Sequence, residues 1–342
     1  MLEPFPDDGK WTEEYLKNSA NESSEKLKIL VAEEHQEACS ALEKLLKVLG
    51  HSVMVTQDGE DALNMFHETI PDLVFSGLTL PKLGGMELLR EVKSASGKTL
   101  FVMICPMSDP EKIQQALKKG AADFLTRPIQ SRELIRSLDR LVNLKRGFVA
   151  SPMDNDTSPE PENDELRISQ GRWMKELIEE SKTLEIDNNF ENLYPLVNFL
   201  TEDLTGYQIL EDEELIPLKT LLTEALENAI FHGNLELPSE LRLENSELFF
   251  ETAKQKSCLE PYQKRRVVIQ YDISRNSVKY IIRDEGKGFE HSEIPDPSDP
   301  QNLFQLQGRG ILRIALFMDE MFWNEKGNEI TMIRYKKRKS SS

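Results

Sequence analysis

The sequence has few cysteines, a deficit of basic side chains and no long apolar run. Only three cysteines occur, Cys39, Cys105 and Cys258, and no two of them form a CxxC pair. This usage indicates neither a disulfide framework nor a zinc site. The formal net charge is −18, from 60 acidic against 42 basic side chains. Because nucleic-acid binding depends on Lys and Arg that neutralise phosphates, we expect no nucleic-acid partner.

Membrane and export signals are also missing from the sequence. No apolar run approaches the roughly 18 residues that a membrane-spanning helix requires. The N-terminal residues contain no basic stretch followed by an apolar one, which is the pattern of a signal peptide. We therefore expect a cytoplasmic protein that has no membrane partner.

The composition changes sharply once along the chain. From Ser151 to Glu165 the sequence is rich in proline and carboxylates and has no aliphatic residue larger than Met, which predicts a solvated linker. A length of 342 residues fits two domains on either side of it. We predict a disordered tail over 1–25, a first domain over 26–147, an acidic proline-containing linker over 148–166, a second domain over 167–336 and a basic tail over 337–342.

Five short apolar runs in the first domain alternate with amphipathic stretches of helical period. The runs occupy residues 28–32, 52–56, 72–76, 100–105 and 123–126. Near-continuous apolar strands separated by helices predict an α/β fold with a doubly wound parallel sheet. In such a sheet the functional crevice lies at the carboxyl ends of the strands. The acidic pair Glu33 and Glu34 follows the first run and is expected there.

The first domain resembles the receiver domain of response regulators over its whole length. The resemblance rests on Glu33 and Glu34, on DLVFSGLTLPKLGGMELL and on KKGAADFLTRPIQSREL. It implies an aspartate phosphoacceptor at the end of the third strand, a Mg²⁺ on the acidic pair, a Thr or Ser after the fourth strand and a Lys before a cis-proline. At these three side-chain positions the sequence has Gly77, Cys105 and Arg127.

A glycine has no nucleophile, so the resemblance implies a receiver-like domain that cannot be phosphorylated at Gly77. Ser76 does not replace the missing side chain, because neighbouring side chains of a strand point to opposite faces. Glu33 and Glu34 are open to two interpretations, an acidic rim without a function or a surviving metal site. We predict that this pseudo-receiver serves for docking or dimerisation, including formation of a homodimer.

The second domain combines segregated helices and strands. Strand patterns occur at residues 181–187, 265–274, 277–286, 320–325 and 329–335, and helical patterns at 190–204, 214–234, 240–256 and 310–320. This order predicts an α+β sandwich in which helices cover one face of a mixed, antiparallel-rich sheet.

Three polar patterns follow one another in the second domain. Glu224, Asn228 and His232 are spaced by four, which places them on one face of a helix. A DxGxG pattern then follows an apolar strand, where an aspartate can accept a hydrogen bond from an exocyclic amine and glycines admit a ligand close to the backbone. A GRG pattern finally opens a helix, whose free N–H groups favour phosphate. The last two patterns comprise Asp284, Gly286, Gly288, Gly308, Arg309 and Gly310.

Together these motifs resemble the GHKL ATPase superfamily, and within it the anti-sigma-factor serine kinases of bacterial partner-switching systems. The matching segments are TEALENAIFHGNLE, VKYIIRDEGKGFE, LQGRGILRIALFMDE and GNEITMIRY. An ordinary histidine kinase is disfavoured, because no helical hairpin with a phosphoacceptor histidine precedes the motifs. His35, His51 and His67 all lie in the first domain.

The resemblance, together with side-chain chemistry, assigns a role to each candidate residue. Glu224 is the candidate general base and Asn228 a ligand of the Mg²⁺ that accompanies ATP. Asp284 reads adenine. The glycines at 286, 288, 308 and 310 shape the phosphate and lid contacts, and Arg309 offsets charge on the γ-phosphate. Two residues have alternatives: Thr331 contacts the adenine side or only packs, and His232 contacts the ligand or holds the helix end.

We therefore expect an ATP- and Mg²⁺-dependent serine/threonine kinase of the anti-sigma-factor type. Its expected substrate is an antagonist protein of the anti-anti-sigma class, with a sigma factor as a second partner. Residues 291–307 are expected to form a lid over the triphosphate. The alternative is a non-catalytic switch in which ATP gates the binding of a sigma factor or antagonist and no phosphoryl group is transferred.

Overall fold

The fold is described from a computed structural model. It describes residues 26–106, 109–149, 179–190, 193–244, 246–289 and 309–337. The predicted N-terminal tail and lid, nearly all of the linker and of the basic tail, and Gly308 therefore lie outside the described residues. The chain divides into two compact units between Asn143 and Leu144.

The first unit alternates strands and helices throughout. Its elements are β1 Lys28–Ala32, α1 Gln36–Val48, β2 Ser52–Thr56, α2 Gly59–Thr69, β3 Leu73–Gly77, α3 Gly85–Ala95, β4 Leu100–Pro106, α4 Pro110–Lys118, β5 Asp123–Arg127 and α5 Ser131–Val149. The last helix continues two residues past the border that we predicted at 147.

The five strands form one parallel sheet in the order β2-β1-β3-β4-β5, as the apolar runs predict. Every residue of β3 is buried, because helices cover both faces of a doubly wound sheet. The carboxyl ends of β1, β3 and β5 lie at the same edge and bring Glu33, Gly77 and Arg127 together. The sheet therefore positions the degenerate receiver site.

The second unit contains a five-stranded sheet with helices grouped around it. Its elements are β6 Glu179–Ile186, α6 Leu193–Phe199, α7 Asp212–Glu227, a π-helix Asn228–Asn234, α8 Ser239–Glu244, α9 Ser246–Ser257, a 3₁₀ turn Tyr262–Lys264, β7 Val267–Ser274, β8 Ser277–Arg283, α10 Arg309–Phe317, β9 Glu320–Trp323 and β10 Glu329–Tyr335.

The sheet of the second unit has the order β6-β7-β8-β10-β9. All four strand pairs that the structure describes are antiparallel, so the sheet is antiparallel where we expected a mixed one. Burial alternates along β7 and β8, which shows that one face is covered. On that face the rings of Tyr271 and Tyr280 stack with their centroids 5.4 Å apart. The Tyr280 hydroxyl donates to the carbonyl of Leu200, the residue that follows α6.

The helix that carries the first motif changes its winding at Asn228. We predicted one helix over residues 214–234, but α7 ends at Glu227 and the following seven residues form a π-helix. A π-helix closes its hydrogen bonds over five residues, so it turns less per residue than an α-helix. The four-residue spacing from Asn228 to His232 therefore does not give the alignment expected from an uninterrupted α-helix.

The α8–α9 insert packs against the π-helix through aromatic rings. The Phe231 ring lies 5.0 Å from the ring of Phe249 and 5.0 Å from that of Phe190. Arg242 of α8 extends over the Phe231 and Phe249 rings and binds the Glu227 carboxylate at 2.8 Å. The insert thus contacts the helix at the point where its winding changes.

No helix among the described residues is long and apolar enough to cross a membrane.

A buried ion pair joins α7 to β10 beneath the helices. The Arg334 guanidinium is 2% exposed and forms a short hydrogen bond with Glu214, which is 1% exposed. It also binds Asp319 at 2.9 Å and the Phe317 carbonyl at 3.1 Å. Removal of one partner of such a pair leaves an uncompensated charge in the interior.

We predict that Glu214→Ala lowers the free energy of unfolding of the second unit by about 3–5 kcal/mol, because Arg334 then stays buried without its main counter-charge. Native-state hydrogen exchange of the β8 and β10 amides measures this loss. The control is Glu329→Ala, which breaks an exposed pair with Arg283 on the same two strands and should cost at most about 1 kcal/mol. Equal losses in the two variants would contradict the prediction.

Candidate functional site

At the sheet edge of the first unit, an arginine contacts both side chains of the acidic pair, Glu33 and Glu34. Arg127 Nη2 is 2.9 Å from each oxygen of the fully buried Glu33 carboxylate. Arg127 Nη1 lies 3.5 Å from Glu34 Oε1, and the His35 ring lies 3.0 Å from Glu33 Oε1. The guanidinium thus supplies the positive charge that a metal ion would otherwise bring, which disfavours the metal-site interpretation of the acidic pair.

Gly77 closes β3 directly beside this ion pair. A Cβ atom built on Gly77 would lie 3.0 Å from Arg127 Nη2 and 3.2 Å from Glu33 Oε2, so the arginine fills the space beside the acceptor position. Burial raises the pKa of the Cys105 thiol to about 12, so it stays neutral. The Arg127–Pro128 peptide is cis. The five residues of the degenerate site therefore form an ion-paired cluster without a nucleophile at position 77.

In the second unit, the helix of the first motif touches both of the other motifs. Gly233, near the end of the π-helix, packs so closely on Asp284 that an added Cβ would collide with its carboxylate. At the start of α10, a Cβ on Gly310 would collide with the carboxylate of Glu224. These two contacts place the three motifs around one helix.

The Asp284 carboxyl is held at the end of β8 by backbone groups. Its Oδ1 atom accepts a hydrogen bond from the Gly286 N–H at 2.7 Å. Gly286 itself packs on the Gly233 carbonyl, and an added Cβ would collide there. Burial raises the pKa of Asp284 to about 6. The carboxyl is therefore ionised at neutral pH and can accept a hydrogen bond from an amine.

The remaining residues of the first motif have different surroundings. Asn228 opens the π-helix one turn after Glu224 and is half-buried, and its amide oxygen is of the type that a hard cation binds. His232 Nδ1 is hydrogen-bonded to the Leu237 carbonyl at 2.8 Å. One ring nitrogen of His232 therefore holds the chain that leaves the π-helix, which favours the structural alternative.

Gly288 packs against the β9–β10 turn. Its φ is +76°, and an added Cβ would collide with the Lys326 carbonyl, so only glycine fits. Gly288 therefore determines the shape of its own loop through this contact with the β9–β10 turn. In the third motif, Gly310 is described, but the side chain of Arg309 and the whole of Gly308 are not, so their roles remain predictions.

Thr331 does not lie beside Asp284 as the adenine-side interpretation requires. On β10 it pairs with Ile281 of β8, on the face opposite to Ile282 and Tyr280. Asp284 lies two residues beyond Ile282 and pairs with Asn328 instead. The structure therefore favours the packing alternative for Thr331.

Asn328 belongs to none of the three polar patterns in the sequence but binds Asp284 directly. Its Nδ2 donates to the Asp284 carbonyl at 2.6 Å, and its own carbonyl accepts the Asp284 N–H at 3.0 Å. It follows Gly327, whose φ is +74°, in the turn before β10. Counting alternate positions back from the buried Met332 would have placed Asn328, and not Thr331, on the face of Asp284.

This arrangement fits an adenine nucleotide. Asp284 offers an acceptor, the glycines at 233 and 286 leave no side chain over it, and the start of α10 offers N–H groups next to Glu224. The family comparisons agree. The family described as response regulator receiver domain matches residues 29–139, and the family described as histidine kinase-like ATPase domain matches residues 186–334.

The chain thus contains a segment that matches receiver domains, followed by a segment that matches histidine kinase-like ATPase domains. Among curated proteins, the transcriptional regulatory protein CpxR of Escherichia coli (strain K12) is 27% identical over 212 residues, which cover 62% of this chain and 89% of that protein. The probable transcriptional regulator ycf27 of Guillardia theta is 31% identical over 121 residues, which cover 34% of this chain and 47% of that protein.

Solved structures of receiver domains are similar to this chain. A response regulator receiver domain protein from Clostridium thermocellum is 26% identical, with a TM-score of 0.34, and the match covers 35% of this chain and 98% of that one. The receiver domain of NtrX from Brucella abortus is 28% identical, with a TM-score of 0.33, and the match covers 33% and 97%.

We predict that acetyl phosphate leaves the receiver domain unmodified, because Gly77 has no acceptor group and Arg127 fills the space beside it. Mass spectrometry of the treated chain should find no phosphoryl adduct on residues 26–149. Gly77→Asp alone should remain unmodified, whereas the triple variant Gly77→Asp, Cys105→Thr and Arg127→Lys should gain a labile adduct. An adduct on the wild-type domain would overturn the prediction.

The raised pKa of Asp284 predicts a pH-dependent preference for ATP over GTP. Above pH 6 the carboxylate accepts a hydrogen bond from the adenine amine, and this bond weakens as the pH falls through about 6, because protonation removes the negative charge and adds an O–H donor. The ratio of the ATP and GTP affinities should therefore increase from pH 5 to pH 7. The ratio cancels the titration of the phosphates, which both nucleotides share.

Calorimetric titrations at several pH values measure this ratio. Asp284→Asn is the control, because an amide does not titrate in this range, and its ratio should stay constant. A wild-type ratio that is constant between pH 5 and pH 7 would show that Asp284 does not read the base.

Proposed function

We propose that the chain is an ATP-dependent protein-serine/threonine kinase of the anti-sigma-factor type, with a receiver domain that is not phosphorylated. One observation carries this proposal: the Glu224 carboxylate lies against Gly310 at the start of α10, one helical turn before Asn228. A candidate base, a candidate metal ligand and a phosphate-binding helix end thus meet at one place.

The distance along the helix also supports an extended nucleotide. From Glu224 to Gly233 the helix advances at most about 14 Å, at 1.5 Å per residue. Asp284 lies at the far end of this stretch and Gly310 at the near end. A nucleoside triphosphate laid along the helix therefore reaches Asp284 with its base and the start of α10 with its phosphates.

The residues of the chain then have distinct tasks. Asp284 accepts a hydrogen bond from the exocyclic amine of adenine, and the first N–H groups of α10 bind phosphate oxygens. The Asn228 amide oxygen would hold Mg²⁺, which when bound neutralises charge on the phosphates. Gly233 and Gly286 let the backbone pack against the Asp284 carboxyl, where a Cβ atom at either position would collide.

Glu224 is the proposed general base. Its carboxylate takes the proton of a substrate serine or threonine hydroxyl, while the hydroxyl oxygen forms a bond to the γ-phosphorus. The bond from that phosphorus to the leaving diphosphate oxygen breaks, and ADP carries away the electron pair. The products are a phosphorylated protein and ADP.

The proposed partners follow from the type of kinase. The substrate is an antagonist protein of the anti-anti-sigma class, and a sigma factor is the second partner. The receiver domain serves for docking or formation of a homodimer, since its acidic pair is occupied by Arg127. Use of ATP as the phosphoryl donor fits a cytoplasmic location.

We expect Glu224→Gln to slow phosphoryl transfer to the antagonist protein by about 10²–10⁴-fold, the usual share of general-base catalysis. ATP binding should stay within a few-fold of wild type, because the amide keeps the size of the carboxylate. Transfer of label from γ-labelled ATP and calorimetric ATP binding measure the two effects. Glu213→Gln is the matched control, since Glu213 is an exposed carboxylate on the same helix.

Two results would change the assignment. A wild-type protein that binds an antagonist tightly in the presence of ATP yet transfers no label is a gated binder. Transfer at the wild-type rate by Glu224→Gln would mean that another group is the base.

A further inference from the structure

Two buried asparagine side chains connect the ends of three elements next to the nucleotide site. Asn188 follows β6 and is 5% exposed, and Asn234 is the last residue of the π-helix and is fully buried. No candidate role above includes either side chain. Buried amides must have hydrogen-bond partners, because an unsatisfied polar group in the interior is costly.

The hydrogen bonds of the two amides run in one direction. The Glu285 N–H donates to Asn234 Oδ1 at 2.8 Å, and Asn234 Nδ2 donates to Asn188 Oδ1 at 2.8 Å. Asn188 Nδ2 in turn donates to the Tyr262 carbonyl at 2.8 Å. Because carbonyls at one end only accept and an N–H at the other only donates, neither amide can be reversed alone. We call this chain of bonds the amide relay.

The amide relay ends on the peptide that joins Asp284 to Glu285. The N–H of this peptide binds Asn234, and its carbonyl, which belongs to Asp284, accepts from Asn328 at 2.6 Å. The peptide plane is thus held on both sides. The carbonyl carbon of this peptide is bonded to the Cα of Asp284, which also carries the side chain. The orientation of the peptide therefore contributes to the direction of the Asp284 carboxylate.

Asn234 is itself fixed to the neighbouring loop. Its carbonyl accepts from Arg265 Nη1 at 2.6 Å, and the same guanidinium nitrogen lies 3.0 Å from Glu236 Oε1. The amide at the centre of the relay is therefore held by its backbone as well as by its side chain.

We propose that Asn234 and Asn188 are positioning residues that set the preference of the site for adenine over guanine. The inference rests on ATP being the nucleotide of the proposed function. Adenine presents an amine donor to Asp284, whereas guanine presents a carbonyl oxygen at the same place, which a carboxylate repels. A displaced Asp284 loses the bond to adenine but leaves the phosphate contacts, which both nucleotides share.

Asn234→Asp is the direct test, because it keeps the shape of the side chain and still accepts from Glu285. A carboxylate cannot donate to Asn188, so Asn188 must turn over, and the Tyr262 carbonyl loses its donor. We expect the ATP affinity to fall about 10- to 100-fold, the contribution of the hydrogen bond between the Asp284 carboxylate and the adenine amine that a displaced Asp284 loses. The GTP affinity should stay unchanged, so the ratio of the two affinities falls by the same factor.

Asn188→Ala is the second variant, and it removes the far end of the relay without touching the Asp284 loop. It should also lower the ATP to GTP ratio, by a smaller factor than Asn234→Asp. Thr201→Val is the control for general destabilisation. Thr201 is fully buried and its hydroxyl donates to the Val197 carbonyl, away from the relay, so this variant should lose stability and keep the ratio.

Calorimetric affinities for ATP and GTP and the thermal midpoint of each full-length variant are the measurements. A lower ratio in both asparagine variants, with an unchanged ratio in Thr201→Val, supports the proposal. An unchanged ratio in the asparagine variants, with stability lost as in the control, would assign the relay a structural role alone and overturn it. Because the readout is binding, a wild-type protein that binds ATP without transferring phosphate refutes the kinase and leaves this test intact.

Discussion

The candidate nucleotide site depends on contacts between glycine backbones and carboxylates along one helix. Gly233 at one end lies against Asp284, and Gly310 lies against Glu224 near the other. A side chain at either glycine would occupy the space of a carboxylate, so the close approach of backbone is what brings the three motifs into one site. The sheet and the helices behind it hold these elements in place, through the stacked tyrosines and the buried Arg334 pair.

The receiver domain keeps the fold of its family but replaces the chemistry of its site by an ion pair. In the parallel sheet, the ends of β1, β3 and β5 still converge. Arg127 then binds both acidic side chains, and Gly77 provides no group for a phosphoryl bond. Fold and chemistry are therefore separable in this domain, since the sheet needs buried apolar strands and the chemistry needs three particular side chains.

Much of the fold could be predicted from periodicity, because burial determines both patterns. The five apolar runs of the first unit predicted its parallel sheet, and the order of strand and helix patterns in the second unit predicted a sheet covered on one face. The winding of the helix after Asn228 could not be predicted, because Asn, Ala, Ile and Phe are compatible with either α- or π-helix. Contacts such as Arg127 with Glu33 and Asn328 with Asp284 join residues far apart in sequence, so spacing alone does not reveal them. The two interpretations of Thr331 stayed open in the sequence because the face of a strand residue depends on register, which follows from the turn at Gly327.

The glycine at the acceptor position, Gly77, has a consequence for how long a signal lasts in this domain. A phosphorylated receiver stores its signal in a covalent bond, and the signal lasts until that bond is hydrolysed. A domain whose acceptor position is Gly77 has no such store. On the proposed function, information that reaches this domain persists only as long as a bound molecule remains on its surface. The duration of a response is then set by a dissociation rate, which responds to the affinity and concentration of the binder and is insensitive to phosphatases.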